Sequence, residues 1–117
     1  MKYTIINTAV IEAQMYGDKQ LLKQFIALYL QQTPKDVEAI NYAFTKQDPI
    51  AVKSAAHHIK PTLQYIGANE LYEQIKELEN IAMQLHPWDE IAHSIAVLLP
   101  QFDILLKELE HYSTDIT

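Results

Sequence analysis

Within Ala55-Ala56-His57-His58-Ile59-Lys60-Pro61-Thr62-Leu63-Gln64-Tyr65-Ile66-Gly67, two histidines stand side by side and a lysine follows the first by three residues. At ~100° per residue on an α-helix, Lys53, His57, Lys60 and Gln64 share one face, while Val52, Ala55, Ala56, Ile59, Leu63 and Ile66 share another. The second face is a core stripe. The first presents an imidazole, the side chain whose ordinary titration lies near neutral pH and which is a competent nucleophile. Lys60, one turn along, supplies a positive point charge suited to phosphoryl oxygens. Gln64 lies nearly two turns from His57 and could hydrogen-bond a phosphoryl oxygen. His58 points to the other flank, near Ser54, Thr62 and Tyr65, and is the competing nucleophile; the spacing to Lys60 favours His57. A His–Lys pair on a helix is also a common solvated surface, so the spacing alone leaves both readings open.

The elements that must position these residues are helical, because the apolar spacing is helical nearly throughout. A short helix is expected over about Thr8 to Met15. Tyr16-Gly17-Asp18 breaks it, and Asp18 can cap the next, whose stripe is Leu21, Leu22, Phe25, Leu28 and Tyr29. Thr33-Pro34-Lys35-Asp36 reads as a further start, with Thr33 as cap and Pro34 at the first helical position, followed by Val37, Ile40 and Phe44. Asp48-Pro49 repeats the device and launches the helix carrying the histidines. Gly67 should end it. Asn69 is expected to cap the next helix, with Leu71, Ile75, Leu78 and Ile81 or Ala82 buried. His86-Pro87 closes that one. The last helix runs from about Trp88 to Tyr112, and Pro100 should kink or break it. Met15 and Met83 read as core filler, Trp88 as a cap or core aromatic. The predicted fold is all-α: an antiparallel four-helix bundle with a short N-terminal helix and up-and-down connectivity.

The chain has 117 residues, 49% hydrophobic and 21% charged, which fits a single domain over 1–117 with a real core. There is no cysteine, hence no disulfide, thiolate nucleophile or cysteine zinc site. The first residues, MKYTIINTAVIEAQ, lack a signal-peptide pattern, and no apolar run approaches the ~18 residues that span a bilayer. A cytoplasmic protein with no membrane partner is expected. The formal charge is −6 and all nine basic residues are lysines, which argues against nucleic acid as a partner. No Gly-rich phosphate loop is present, so no ATP site is expected. No Ser-His-Asp arrangement can be argued from spacing, and the carboxylates read as solvated.

The stretch resembles the histidine phosphotransfer (HPt) family of multistep phosphorelays, whose pattern is roughly A-H-x-[LI]-K-G-x-x-x-x-[LI]-G. Ala56-His57-His58-Ile59-Lys60-Pro61 and Ile66-Gly67 match it in register. Leu71 and Leu78-Glu79 fit the family's next helix. Gly17-Asp18, Leu21-Leu22, Phe25 and Pro34 fit the preceding one, and Leu98 to Leu109 the last. The resemblance implies that His57 is the phospho-acceptor and that Lys60 steadies the phosphoryl group. It implies a phosphocarrier, not an enzyme with its own ATP site. Nε2 of His57 would attack an aspartyl phosphate on a partner receiver domain and later pass the group to another receiver. The partners implied are response-regulator receivers or a hybrid sensor kinase. No cofactor is expected here, the Mg²⁺ and acidic pocket belonging to the receiver. Docking is expected around His57, including Lys53 and Pro61, by a monomer.

Pro61 departs from the family's glycine. It removes the amide that would bond the carbonyl of His57, and its flat apolar ring is either a docking element or a tolerated kink. Two rival readings stand beside the carrier. One is an adaptor that binds a receiver or kinase without taking phosphate. The other is a metal site built from Glu90-Ile-Ala-His93 and Glu108-Leu-Glu-His111. On one helix those pairs lie 18 residues, or ~27 Å, apart, and they meet only if Pro100 opens a hairpin.

Overall fold

The computed structural model describes residues 2–116. It contains five α-helices and, among the described residues, no strand: α1 (Thr8–Gln14), α2 (Lys19–Thr45), α3 (Pro49–Tyr65), α4 (Asn69–Met83) and α5 (Trp88–Asp115). Helix α2 packs on α3 and α5, and α4 packs on the same two, so the four long helices close a ring. Helix α1 lies against α3. The molecule measures 45 × 22 × 20 Å. No helix among the described residues is long and apolar enough to cross a membrane.

The helix starts follow the expected chemistry in two cases. Asp18 accepts the amide of Leu21, and Asp48 accepts those of Ile50 and Ala51 with Pro49 in the first turn. Helix α4 differs. Ala68, not Asn69, stands at its cap position, with no side-chain cap bond, and Asn69 is already helical.

The ends of α2, α3 and α4 share one device. A left-handed residue follows each helix: Gln47 (φ 51°), Gly67 (φ 68°) and Leu85 (φ 53°). The amide after it returns to the carbonyl five residues back: Asp48 to Ala43, Ala68 to Leu63, His86 to Ile81.

Pro34 does not start a helix. Helix α2 runs unbroken through it, with Thr33 buried and Pro34 exposed. The proline ring faces solvent, so burial of Ile26, Tyr29, Thr33, Ile40 and Ala43 on the other side holds the helix together across the missing bond. Pro100 is likewise exposed within a continuous α5.

The core is the inward face of every helix. In α3 Val52, Ala56, Ile59, Leu63 and the following Ile66 are fully buried, while Ala55 is half-buried. Each large aliphatic contributes about 1.5–3 kcal/mol by leaving water. The expected stripe of α2 is displaced: Leu22, Ile26 and Tyr29 are buried, whereas Leu21 and Leu28 are exposed. Of Val37, Ile40 and Phe44 only Ile40 is fully buried. Met83 is exposed rather than core. Trp88 packs on Phe44 with ring centroids 6.1 Å apart.

A strap of residues 3–7 precedes α1. The buried carboxylate of Glu108 on α5 accepts the amides of Thr4, Ile5 and Ile6 and the Thr4 hydroxyl, at 2.9–3.0 Å for the shortest of each. Burial raises the Glu108 carboxyl, but these donors outweigh it and hold it below the usual carboxylate range. The Tyr3 hydroxyl reaches His111 and Asp115, both at 3.0 Å. The Asn7 amide donates to the Ile66 carbonyl at 2.9 Å, tying the strap to the end of α3.

Candidate functional site

The rigid placement of α3 comes from its two ends, Asp48 at one and Gly67 at the other. Between them the buried stripe fixes the rotation of the helix, and rotation decides what faces out. Lys53, His57, Pro61 and Gln64 are exposed, and Lys60 is half-buried. The His57 side chain is 72% exposed.

Helix α4 supplies the partner that the sequence reading passed over. Glu79 is almost buried at the edge of the α4 core stripe. It faces His57 and Lys60 together: His57 Nδ1 lies 2.5 Å from Oε2, and Lys60 Nζ donates to Oε1 at 2.7 Å. A carboxylate only accepts, so the proton of the His57 bond sits on Nδ1. In the neutral ring Nε2 then carries the lone pair, and the side chain as a whole is largely exposed. The carboxylate thus fixes both tautomer and ring direction.

Burial raises the Glu79 carboxyl, yet the hydrogen bonds and charges of Lys60 and His57 prevail and hold it below the usual range. The Glu79 bond, opposed by burial, pushes the Lys60 ammonium up. The lysine therefore stays a cation beside His57. Its ammonium has three donors, of which Glu79 takes one. No hydrogen bond joins Gln64 to His57.

His58 turns toward α2. Its Nε2 faces Oδ1 of Asp36 at 3.4 Å, and Gln32 donates to the same oxygen at 3.1 Å. Asp36, expected at an exposed helix start, is buried. With Glu79 and Glu108 it corrects the expectation that the carboxylates are solvated.

Pro61 leaves the His57 carbonyl without a helical amide. Nearby, the Tyr29 hydroxyl donates to the Thr62 carbonyl at 3.2 Å. Leu28 and Tyr65, each within one turn of that bond, are 65% and 50% exposed. They leave apolar side chains open on α2 and α3 at the level of that bond.

The hairpin at Pro100 that the metal alternative requires does not form. Both E-x-x-H pairs lie on the continuous α5. Glu90 pairs with His86, Glu108 holds the strap, and His111 meets Tyr3 and Asp115. Among the described residues no three histidines or carboxylates are placed to hold a metal ion.

A family model described as Hpt domain matches residues 24–112. No curated protein and no solved structure gives a significant match.

Proposed function

The chain belongs to the Hpt domain family, whose members carry phosphoryl groups in phosphorelays, and from that premise we propose that His57 takes a phosphoryl group from a receiver-domain aspartyl phosphate and passes it on. One observation carries the reading: Glu79 engages Nδ1 of a largely exposed ring, which leaves Nε2 of the neutral imidazole as the nitrogen for attack.

In the forward step the Nε2 lone pair attacks phosphorus. The bond from phosphorus to the aspartyl oxygen breaks, and aspartate leaves as a carboxylate. The ring keeps its Nδ1 proton and becomes cationic, a charge that Glu79 balances. Return transfer breaks the N–P bond and restores the neutral ring. The phosphoryl transition state is loose, so positioning and charge supply most of the catalysis. Lys60 steadies the phosphoryl oxygens with its remaining donors, and Gln64 could supply a further hydrogen bond. The receiver brings the Mg²⁺ and its acidic pocket; no ATP site belongs to this chain.

Docking uses Lys53 and Pro61 beside His57, extended by the exposed apolar pair Leu28 and Tyr65. We read α2–α5 as an antiparallel four-helix bundle with up-and-down connectivity. Its support is the pairing of residues whose numbers run oppositely, Tyr29 with Thr62 and Asp36 with His58. A single domain over 1–117, acting as a monomer in the cytoplasm with receivers or a hybrid kinase, completes the proposal.

Incubation with a phosphorylated receiver tests it. An acid-labile, base-stable phosphate should appear on the chain, vanish in His57→Gln and persist in His58→Gln. Label retained in His57→Gln would overturn the assignment. Binding without transfer would favour an adaptor.

A further inference from the structure

Consecutive histidines on an exposed helix should compete for any phosphoryl donor, and here they are 72% and 71% exposed. Exposure does not separate them. Their carboxylates do. Glu79 approaches His57 at Nδ1, on the side of the ring nearer its own backbone, and Lys60 shares the same carboxylate. Asp36 approaches His58 at Nε2, the outer nitrogen. Its fixed neighbour is the neutral amide of Gln32, and among the described residues no lysine pairs with it.

We propose that Asp36 is a specificity-determining residue that keeps the outer nitrogen of His58 from taking the phosphoryl group, so that loading favours His57. The idea rests on His57 being the acceptor and adds what prevents a second one. Two effects act together. The outer nitrogen of His58 is turned onto α2, toward a carboxylate 3.4 Å away. A dianionic phosphoryl group reaching that nitrogen would also meet the Asp36 charge at close range, with no cation to offset it. His57 has the reverse arrangement: its carboxylate sits behind the ring and its cation beside it. Asp36 is buried, and Gln32 fixes its direction, so it cannot swing clear as a surface carboxylate would.

The test uses phosphoramidate, a small donor that needs no docking. Attack by imidazole nitrogen forms an N–P bond and breaks the donor's P–N bond; the amine takes a proton and leaves as ammonia. Wild type, Asp36→Asn, His57→Gln and the double variant are treated alike, and phosphohistidine is mapped by mass spectrometry. Circular dichroism melts confirm folding, and Asp36→Ala serves as the second substitution at that site. Label at His58 should rise about tenfold in the double variant over His57→Gln alone, and Asp36→Asn should carry label on both histidines. Equal His58 label with and without Asp36 would overturn the proposal. Because no receiver takes part, a failure of receiver transfer would count against the proposed function and leave this comparison intact.

Discussion

His57 and Glu79, on separate helices and 22 residues apart in sequence, meet through Nδ1 and Oε2 at 2.5 Å. The bond gives the imidazole one tautomer and one direction. Glu79→Gln removes the charge and leaves an amide that can present either a donor or an acceptor. Transfer from a phosphorylated receiver should slow by about 10²-fold in single-turnover assays. Long-range ¹H–¹⁵N spectra of the imidazole should show the His57 tautomers mixing in the variant. A rate within twofold of wild type would remove Glu79 from the mechanism.

Acid should release the strap. The Glu108 carboxyl is held below its ordinary value in the folded protein, so its contribution is fully present above the unfolded value and fades as pH falls through the folded one. Thermal melts between neutral pH and the acid range should show this loss in wild type and a flatter profile in Glu108→Gln. At neutral pH that variant should lose about 2–3 kcal/mol, the scale of hydrogen bonds to a buried charge.

The two glycines should respond differently to alanine. Gly17 sits at φ 75° with nothing near a new Cβ, so Gly17→Ala should cost only the left-handed penalty of about 1–2 kcal/mol. Gly67 sits at φ 68°, and a Cβ there would lie 2.6 Å from Asn7 Cβ and 3.1 Å from Val10. Gly67→Ala should cost about 2–4 kcal/mol, since the strap must shift as well. Urea denaturation of the two variants separates the terms; equal midpoints would contradict the packing.

The exposed apolar pair Leu28 and Tyr65 should matter to binding and not to folding. Leu28→Ser and Tyr65→Ser alter exposed side chains, and each should change stability by less than about 0.5 kcal/mol. Each should weaken receiver binding by about tenfold, as an apolar anchor does. Titration calorimetry measures the second effect and melts the first. Unchanged affinity in both variants would place docking elsewhere.

The helices and the face of α3 were legible because both depend on local signals. Asp48-Pro49 and Gly67 mark the ends, and the spacing of Val52, Ala56, Ile59 and Leu63 sets the rotation. Pro34 misled for a physical reason: Thr-Pro-Lys-Asp is good start chemistry, but the apolar residues on both sides bury on one continuous face, and that burial overrides the proline. Glu79 was missed because α4 carries several glutamates and most face water. A signal existed. Glu79 follows Ile75 by four residues and precedes Ala82 by three, so it falls inside the buried stripe. Asp36 before Ile40, and Glu108 between Leu105 and Tyr112, carry the same mark. A carboxylate set within an apolar stripe needs a partner, and only the fold names which.

The bonds from Tyr3 to His111 and Asp115 gather both ends of the described chain at one pole of the molecule. His57 stands eight residues of helix before the close of α3 at Tyr65, about 12 Å along the axis. Anything anchored there, whether a bead, a dye or a biosensor surface, leaves the imidazole facing sideways into open solution. A tether at either end of the described chain therefore holds the protein by its foot and keeps the His57 flank free for a visitor.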